Sequence, residues 1–393
     1  MNGSFKSFIS FLCISLMCVL ADAQEKKAFK DHFSLGGYVK YMNSASFTSL
    51  DSIMSDNLLH NRINLKAFIS DDLTAVVEMR NRIFYGELTK MNPYLGLMLD
   101  EDMGQMDLSF VLMDREAVVI HSTLDRAYMK YTSDKLEIRL GRQRINWGVN
   151  LAWNPNDLFN AYSLIDFDYQ ERPGSDALRV QYFMKGMSSI EMAVQPGESL
   201  DKSILAGLWK FNKWKYDIQV LTANYYTDVA IGAGWAGNLK DMGFKGEATW
   251  FQPKENLSDT GGVLSTSITF DYSFKNGLYL NSSILYNSAG TDQTLNFANP
   301  FQSFMGNLSA KNLMPSKISG FIQGSGAFNP ALSGSFSIFY MHGLKAFFSM
   351  PSLSYSIQEN WELMLLGQTA FGKVNDKVKG LGTGMYLRLM FSY

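Results

Sequence analysis

The sequence predicts an all-β protein: a transmembrane antiparallel β-barrel of about 18 strands, with 16 as the alternative count, short turns at its periplasmic end and long loops at its extracellular end. Three observations predict it. Apolar and polar residues alternate with period two in stretch after stretch, which puts them on opposite faces of strands. Aromatics make up 14% of the chain and glycine 32 residues, while charged residues are only 18%, below the quarter usual in soluble domains. After Ala23 no apolar run is long enough for a spanning helix, and in lipid only helices and closed barrels satisfy the backbone.

The amino-terminal segment sets the compartment. MNGSFK carries one Lys, SFISFLCISLMCVL is an apolar run, and Ala21-Asp22-Ala23 offers a small-x-small cleavage site before Gln24. Residues 1–23 are therefore expected to be a secretory signal peptide and 24–393 an outer-membrane β-barrel. Both cysteines, Cys13 and Cys18, fall inside the signal, so the mature chain is expected to have no disulfide.

Strands follow in order. HNRINLKAFIS places Ile63, Leu65, Ala67 and Ile69 on one face and His60, Arg62, Asn64 and Lys66 on the other. After the turn Ser70-Asp71-Asp72, LTAVVEMRNR opposes Ala75, Val77 and Met79 to Glu78, Arg80 and Arg82. The same hairpin style recurs in YMKY-TSDK-LEIRL, LWKF-NK-WKYDIQV, FDYSFKNGLYLNSSILY, GAFNPALSGSF and SYSIQENWELML, each with a short polar turn. The longest connections are 86–120, 146–175 and 289–315, all on the other end. The chain closes on MYLRLMFSY, where Leu387, Leu389, Phe391 and Tyr393 form an apolar face. That strand is expected to pair with the first, because a barrel leaves no edge.

Mid-chain, LEIRLGRQRINWGVNLAWNPNDLFN and ERPGSDALRVQY carry a Gly-Arg-Gln strand end, a Trp-Gly turn and an Asn-Pro-x-Asp loop. Gly141, Arg142, Gln143, Trp147, Gly148, Asn154, Pro155, Asp157, Pro173 and Gly174 are the positions concerned. This stretch resembles porin-like barrels of the broad alginate-export type of Gram-negative outer-membrane proteins. The resemblance implies a barrel with an inward-leaning loop; it implies no particular cargo.

The residues themselves support the loop. Asn154-Pro155-Asn156-Asp157 is turn chemistry, with Asp157 placed to cap a helical turn over Leu158-Phe159. Trp147, Trp153, Phe159 and Tyr162 give the segment an apolar side that seeks a surface. Trp147, Asn154, Asp157 and Phe159 are the candidate inward-loop residues, the alternative being a loop packed on itself at the rim. A berth is offered by DVAIGAGWAGNL, whose inward positions Ala230, Gly232, Gly234 and Ala236 carry almost no side chain; glycine inside a strand often marks a close approach.

Alternation assigns Arg62, Lys66, Arg80, Arg82, Arg126, Lys130, Arg139 and Arg179 to the lumen, against Glu78 and Glu137. These eight are the candidate pore-lining residues. Lys130 is expected opposite Glu137, and Glu78 beside Arg62 or Lys66, so internal ion pairing competes with anion attraction. Later strands turn serines and asparagines inward: Ser265, Ser267, Asn281, Ser283, Ser333, Ser335, Ser352 and Ser354 among them.

No enzyme is expected. The histidines His32, His60, His121 and His342 lie near no recognisable nucleophile motif. Asp100-Glu101-Asp102 lacks EF-hand spacing and reads as a solvated acidic tip, so neither metal nor cofactor is assigned. A net charge of −2 gives no argument for nucleic acid. The expected function is a porin-like channel for small hydrophilic, anionic solutes in the outer membrane of a Gram-negative bacterium. Its expected partners are outer-membrane lipid, lipopolysaccharide and other envelope proteins. The alternative is a non-conducting barrel serving as subunit or scaffold of a larger outer-membrane complex.

Overall fold

The structure, a computed structural model, describes residues 32–48, 52–102, 104–162, 168, 171–255, 261–292, 308–374 and 377–393. The expected signal segment lies outside them, as do parts of the expected 146–175 and 289–315 loops. The first strands are β1 (Phe33–Phe47), β2 (Met54–Phe68), β3 (Leu73–Gly86), β4 (Ser109–Arg115), β5 (Val118–Thr132), β6 (Leu136–Gln143), β7 (Ser175–Phe183), β8 (Ser189–Gln195) and β9 (Ile204–Lys213). There follow β10 (Tyr216–Tyr225), β11 (Asp228–Leu239), β12 (Met242–Pro253), β13 (Val263–Ser273) and β14 (Tyr279–Asn287). The last are β15 (Ile318–Ala327), β16 (Leu332–Met341), β17 (Ala346–Gln358), β18 (Trp361–Val374) and β19 (Lys377–Ser392).

Each strand pairs antiparallel with its chain neighbours, except that β3 passes over β4 to pair with β5, and β19 returns to β1. The circuit of 18 strands is therefore closed, and β4 is an extra half-strand. It pairs with the Val118–Thr123 part of β5, while β6 takes the Ala127–Thr132 part. The 86–120 connection, expected as a loop, thus contains structure: helices α1 (Glu87–Met91) and α2 (Leu95–Asp100), then β4. SFVLMDREAVVI is a short hairpin about Glu116-Ala117 whose two arms read as one irregular stretch because neither alternates cleanly.

Closure runs along Tyr38–Phe47 of β1 against Thr383–Ser392 of β19, and the last residue extends it. The N–H and C=O of Tyr393 each bond to Gly37, at 3.0 Å both ways, and the Tyr393 hydroxyl donates to the Arg62 carbonyl at 3.0 Å. Glycine is required there, since a methyl at Gly37 would stand 2.0 Å from the Arg62 carbonyl oxygen. Phe391 lies against Trp361, centroids 4.9 Å apart. Such aromatics at the strand ends are the girdle of a lipid-embedded barrel.

Outward positions form an apolar belt around the whole circuit: Val77, Met129, Leu140, Leu178, Met192, Leu205, Val220, Ile231, Ile268, Ile284, Ile322, Leu353, Leu365 and Leu387 are all exposed. Inward positions are buried, and largely polar. Two apolar clusters interrupt the polar interior. Trp147, Leu158 and Phe159 pack with Ala206, Leu208, Leu221 and Phe251, and Trp153 packs with Phe321, Phe339 and Phe348 on a separate arc of the wall. The segment after β6 therefore crosses the lumen from one arc to the other.

Candidate functional site: the lumen and its inward loop

The β5 strand carries the main departure from simple alternation. Glu78 faces Arg126 but Met79 faces Leu124, so Asp125 sits in a bulge. A bulge re-aims a side chain, and here both Asp125 and Arg126 are buried inside. Asp125 Oδ2 accepts from Arg62 Nη1 at 2.5 Å, and its Oδ1 lies 3.1 Å from Arg80 Nη2. Arg62 also holds Glu78 at 2.6 Å. Arg126 donates to the Glu171 and Arg172 carbonyls at 2.7 and 2.8 Å, tying the returning loop to the wall.

The other candidate cations are distributed differently. Arg139 pairs with Glu137 at 2.9 Å, while Arg179 meets Glu191 at 2.6 Å and Glu137 at 3.5 Å. Lys130 does not face Glu137 as expected: its cross-strand neighbour is Arg139, and Thr132 stands opposite Glu137. The register differs by one inward pair because Thr132 belongs to the strand, which leaves a tighter turn than Thr-Ser-Asp-Lys would make. Lys66 is exposed near the turn end of β2. Arg82 lies 3.0 Å from His121 Nδ1 and over the Phe84 ring. The lumen assignment from sequence undercounts the carboxylates facing these cations. The bulge hides Asp125, and Asp168, 2.5 Å from Lys40, lies outside the strands; Glu191 is turned inward by the alternation of β8, with Ile190 and Met192 outside, a signal that assignment leaves out.

Arg142, on the Gly-Arg-Gln strand end, is a clamp. It binds Asp176 through Nε at 2.8 Å and Asp102 through Nη1 at 2.7 Å, and donates to the Met106 carbonyl at 2.6 Å. Asp102 is accordingly no solvated tip. It also accepts from the Gly104 and Leu108 N–H groups, at 2.8 and 2.9 Å. Burial opposes its charge, but the Arg142 bond and these two amides outweigh it and hold its carboxyl below the usual range. A cavity of about 280 Å³ lies beside this clamp, lined by Arg80, Arg82, Met98, Ser109, His121 and Asp125.

Within it lies a Ser–His pair that no sequence motif announces. His121 Nε2 is 2.8 Å from Ser109 Oγ. Arginine is donor-only, so Nδ1 is the acceptor for Arg82 and Nε2 bears the proton. Ser109 Oγ accepts that proton's hydrogen bond and donates its own to the Leu99 carbonyl, at 3.0 Å. The hydroxyl proton is thus committed to a backbone oxygen rather than to a base, and the pair is structural.

The inward loop is seated on β10–β13. Trp147 is fully buried; its Nε1 donates to Glu191 at 2.5 Å, its carbonyl accepts from Gln219 at 2.7 Å, and Phe159 meets it edge-on at 5.2 Å. Asn156 lies over the small-residue strip: its Nδ2 donates to the Ala233 carbonyl at 3.1 Å, and a methyl at Gly232 or Gly234 would stand 2.7 or 2.9 Å from its amide. Thr249 Oγ1 is 2.7 Å from Asn156 Oδ1 and 3.0 Å from the Pro155 carbonyl. Glu247, fully buried on β12, accepts from the N–H groups of Val149 at 2.5 Å and of Asn150 and Asn156 at 2.9 Å.

Asp157 does not cap Leu158-Phe159. Its Oδ1 accepts from Trp147 N–H at 3.4 Å, and Leu158 N–H turns instead to the Asn156 carbonyl at 3.0 Å. Burial pushes the Asp157 carboxyl up to about 7, only partly offset by that N–H, with Glu247 adding to the rise. Asn154 Oδ1 lies against Gly148, where a methyl would stand 2.3 Å away. Asn160, which carries no distinguishing signal in the sequence, fastens both ends of the loop: Oδ1 accepts from Ile145 N–H at 2.7 Å and Nδ2 donates to the Pro173 carbonyl at 2.9 Å. On the far arc a hollow of about 390 Å³ is lined by Ser325, Ser333, Ser335, Ser352 and Ser354, towards the short-turn end.

No protein-family model matches the sequence, and no curated protein does. Solved structures do match. OccK11 (OpdR) of Pseudomonas aeruginosa is 11% identical, with a TM-score of 0.56 over 93% of this chain and 97% of that one. OccAB4 of Acinetobacter baumannii is 10% identical, with a TM-score of 0.57 over 92% and 98%. OpdK of Pseudomonas aeruginosa, solved with vanillate, is 8% identical, with a TM-score of 0.56 over 92% and 98%. Identities this low carry the fold alone: the chain is built as the barrels of the Occ and Opd outer-membrane porins are built.

Proposed function

We propose that the protein is an outer-membrane channel for small hydrophilic solutes, with a preference for anions. The observation that carries the reading is the closed barrel with an apolar outer belt and a lumen lined by charged and hydroxyl side chains, narrowed by an inward loop. The fold shared with Occ and Opd porins supports it, and vanillate in the OpdK structure is a small anion of the expected class. The anion preference rests on Lys66, Arg82 and Lys130 as pore-lining residues, while Arg139 and Arg179 add to it only against Glu137 and Glu191, which neutralise them. Arg62, Arg80 and Arg126 are held by Asp125, Glu78 and loop carbonyls, so the preference is a mild one. Location in a Gram-negative outer membrane, with lipopolysaccharide as surrounding lipid and cleavage after Ala23, completes the proposal. The likeness of residues 141–174 to alginate-export-type barrels supports a shared inward-loop architecture.

A specific observation favours a second reading, the non-conducting scaffold. Besides the 144–160 loop, Ala310, Leu313 and Met314 are also buried inside. Planar-bilayer recording separates the two. The channel gives discrete conductance steps and a reversal potential displaced towards chloride in a salt gradient, and replacing Arg139 and Arg179 by Ser reduces the displacement. Purified, folded protein that yields no steps identifies the scaffold.

A further inference from the structure

We propose that Glu247 is the positioning residue of the inward loop: one buried carboxylate on the wall holds the loop across the lumen and thereby sets the bore. The inference rests on the channel reading only for its effect on conductance. Glu247 is fully buried on β12, and its two oxygens take three backbone N–H groups of the loop. Oε1 binds Val149 and Asn150, Oε2 binds Asn156, so the residues on both sides of the Leu151–Pro155 crossing are fixed to one point.

Among side chains of this length only a carboxyl does this, since both of its oxygens accept. A carboxylate offers acceptor sites on both oxygens and no donor, and charge-assisted bonds of this kind are shorter and stronger than neutral ones. A glutamine of the same shape keeps one oxygen and puts an NH₂ where the second was. If its oxygen stays on Val149 and Asn150, its amide faces the Asn156 N–H, donor against donor. The remaining contacts locate the loop without replacing this function. Gln219 holds the Trp147 carbonyl and Thr249 the Pro155 carbonyl, while Gly232 and Gly234 leave room for the Asn156 amide.

The test combines hydrogen exchange and single-channel recording on the full-length, reconstituted protein. In Glu247→Gln the amides of Val149, Asn150 and Asn156 should exchange at least tenfold faster, while β1–β19 amides keep their protection and the barrel keeps its heat-modifiable gel migration. Glu247→Asp, with the charge and a shorter reach, should restore part of the protection. The bilayer record of Glu247→Gln should show higher or more frequent open levels. A disulfide tether, Asn156→Cys with Gly232→Cys, should return that record to the one given by the tethered protein with Glu247 intact. Unchanged exchange at the three amides in a folded Glu247→Gln barrel overturns the assignment. Faster exchange with no conductance in any form, a variant lacking residues 150–155 included, upholds the positioning role and sinks the channel reading instead.

Discussion

At the scale of single residues, the interior is governed by how each charge is matched. Arg62 and Asp125 are both almost fully buried, at 1% and 4% exposure. Removing one partner of such a pair leaves the other uncompensated, which costs about 3–5 kcal/mol. Asp125→Ala should therefore lower the urea midpoint of the reconstituted barrel far more than Glu137→Ala, whose partner Arg139 is less buried; equal shifts would contradict the burial argument. Asp157 gives a prediction of opposite character. Its carboxyl is raised from an ordinary 3.8 to about 7, so the protonated form is the one the folded loop prefers. Loop docking has this contribution in full below the ordinary carboxylate pKa, and loses it as pH rises through about 7. Protease sensitivity of the 144–160 segment should rise from pH 6 to pH 8.5, and Asp157→Asn should flatten that rise. Residues such as Arg62, Arg80 and Arg179 can be placed inside from sequence, because side-chain direction in a strand has period two. Asp125 cannot: a bulge shifts the phase by one residue, and no residue type announces it. Glu247 can be placed inside by the same period, with Trp250 facing out, but its role cannot be read, because it depends on a loop 97 positions before it at Asn150.

At the scale of elements, hairpins with short polar turns are legible because each turn and both its strands lie within one window of sequence. The β4 half-strand is not legible, since its pairing replaces part of β6 in the same row of the wall, an arrangement decided by three-dimensional space. The inward loop is legible in its chemistry: four aromatics on a long connection need an apolar surface, and the glycines of β11 leave room for the chain to approach. Its anchors are not, because backbone N–H groups carry no side-chain signature. The closing strand yields a direct test. Tyr393 contributes two backbone bonds and a hydroxyl bond at the seam, and Phe391 contributes the ring contact with Trp361. Deleting Phe391–Tyr393 should prevent accumulation of the heat-modifiable form in outer-membrane fractions without affecting export; normal folded protein would refute the seam's importance.

At the scale of the whole molecule, 18 strands with an unbroken apolar belt and buried polar interior form one cooperative wall, and its lumen is divided between a charged arc and a hydroxyl arc. On the channel reading proposed above, the division predicts where solutes would be discriminated. Serine-to-alanine changes at Ser335 and Ser352, which bond to one another at 2.7 Å, should leave the reversal potential unchanged, whereas changes at Arg139 and Arg179 should move it. A shift caused by the serines would mean that the hydroxyl arc controls charge selection. The seam between Gly37 and Tyr393 has one more implication. Because β1 and the last residue are hydrogen-bonded neighbours, the protein is a candidate for circular permutation: a short linker from Tyr393 to Phe33, with new termini opened in the Ser133-Asp134-Lys135 turn, keeps every strand beside its present neighbours. Such a permutant would retain β19 as a stave of the wall while removing it from the end of the chain, and so would tell whether assembly reads that strand by its place in the barrel or by its place in the polypeptide.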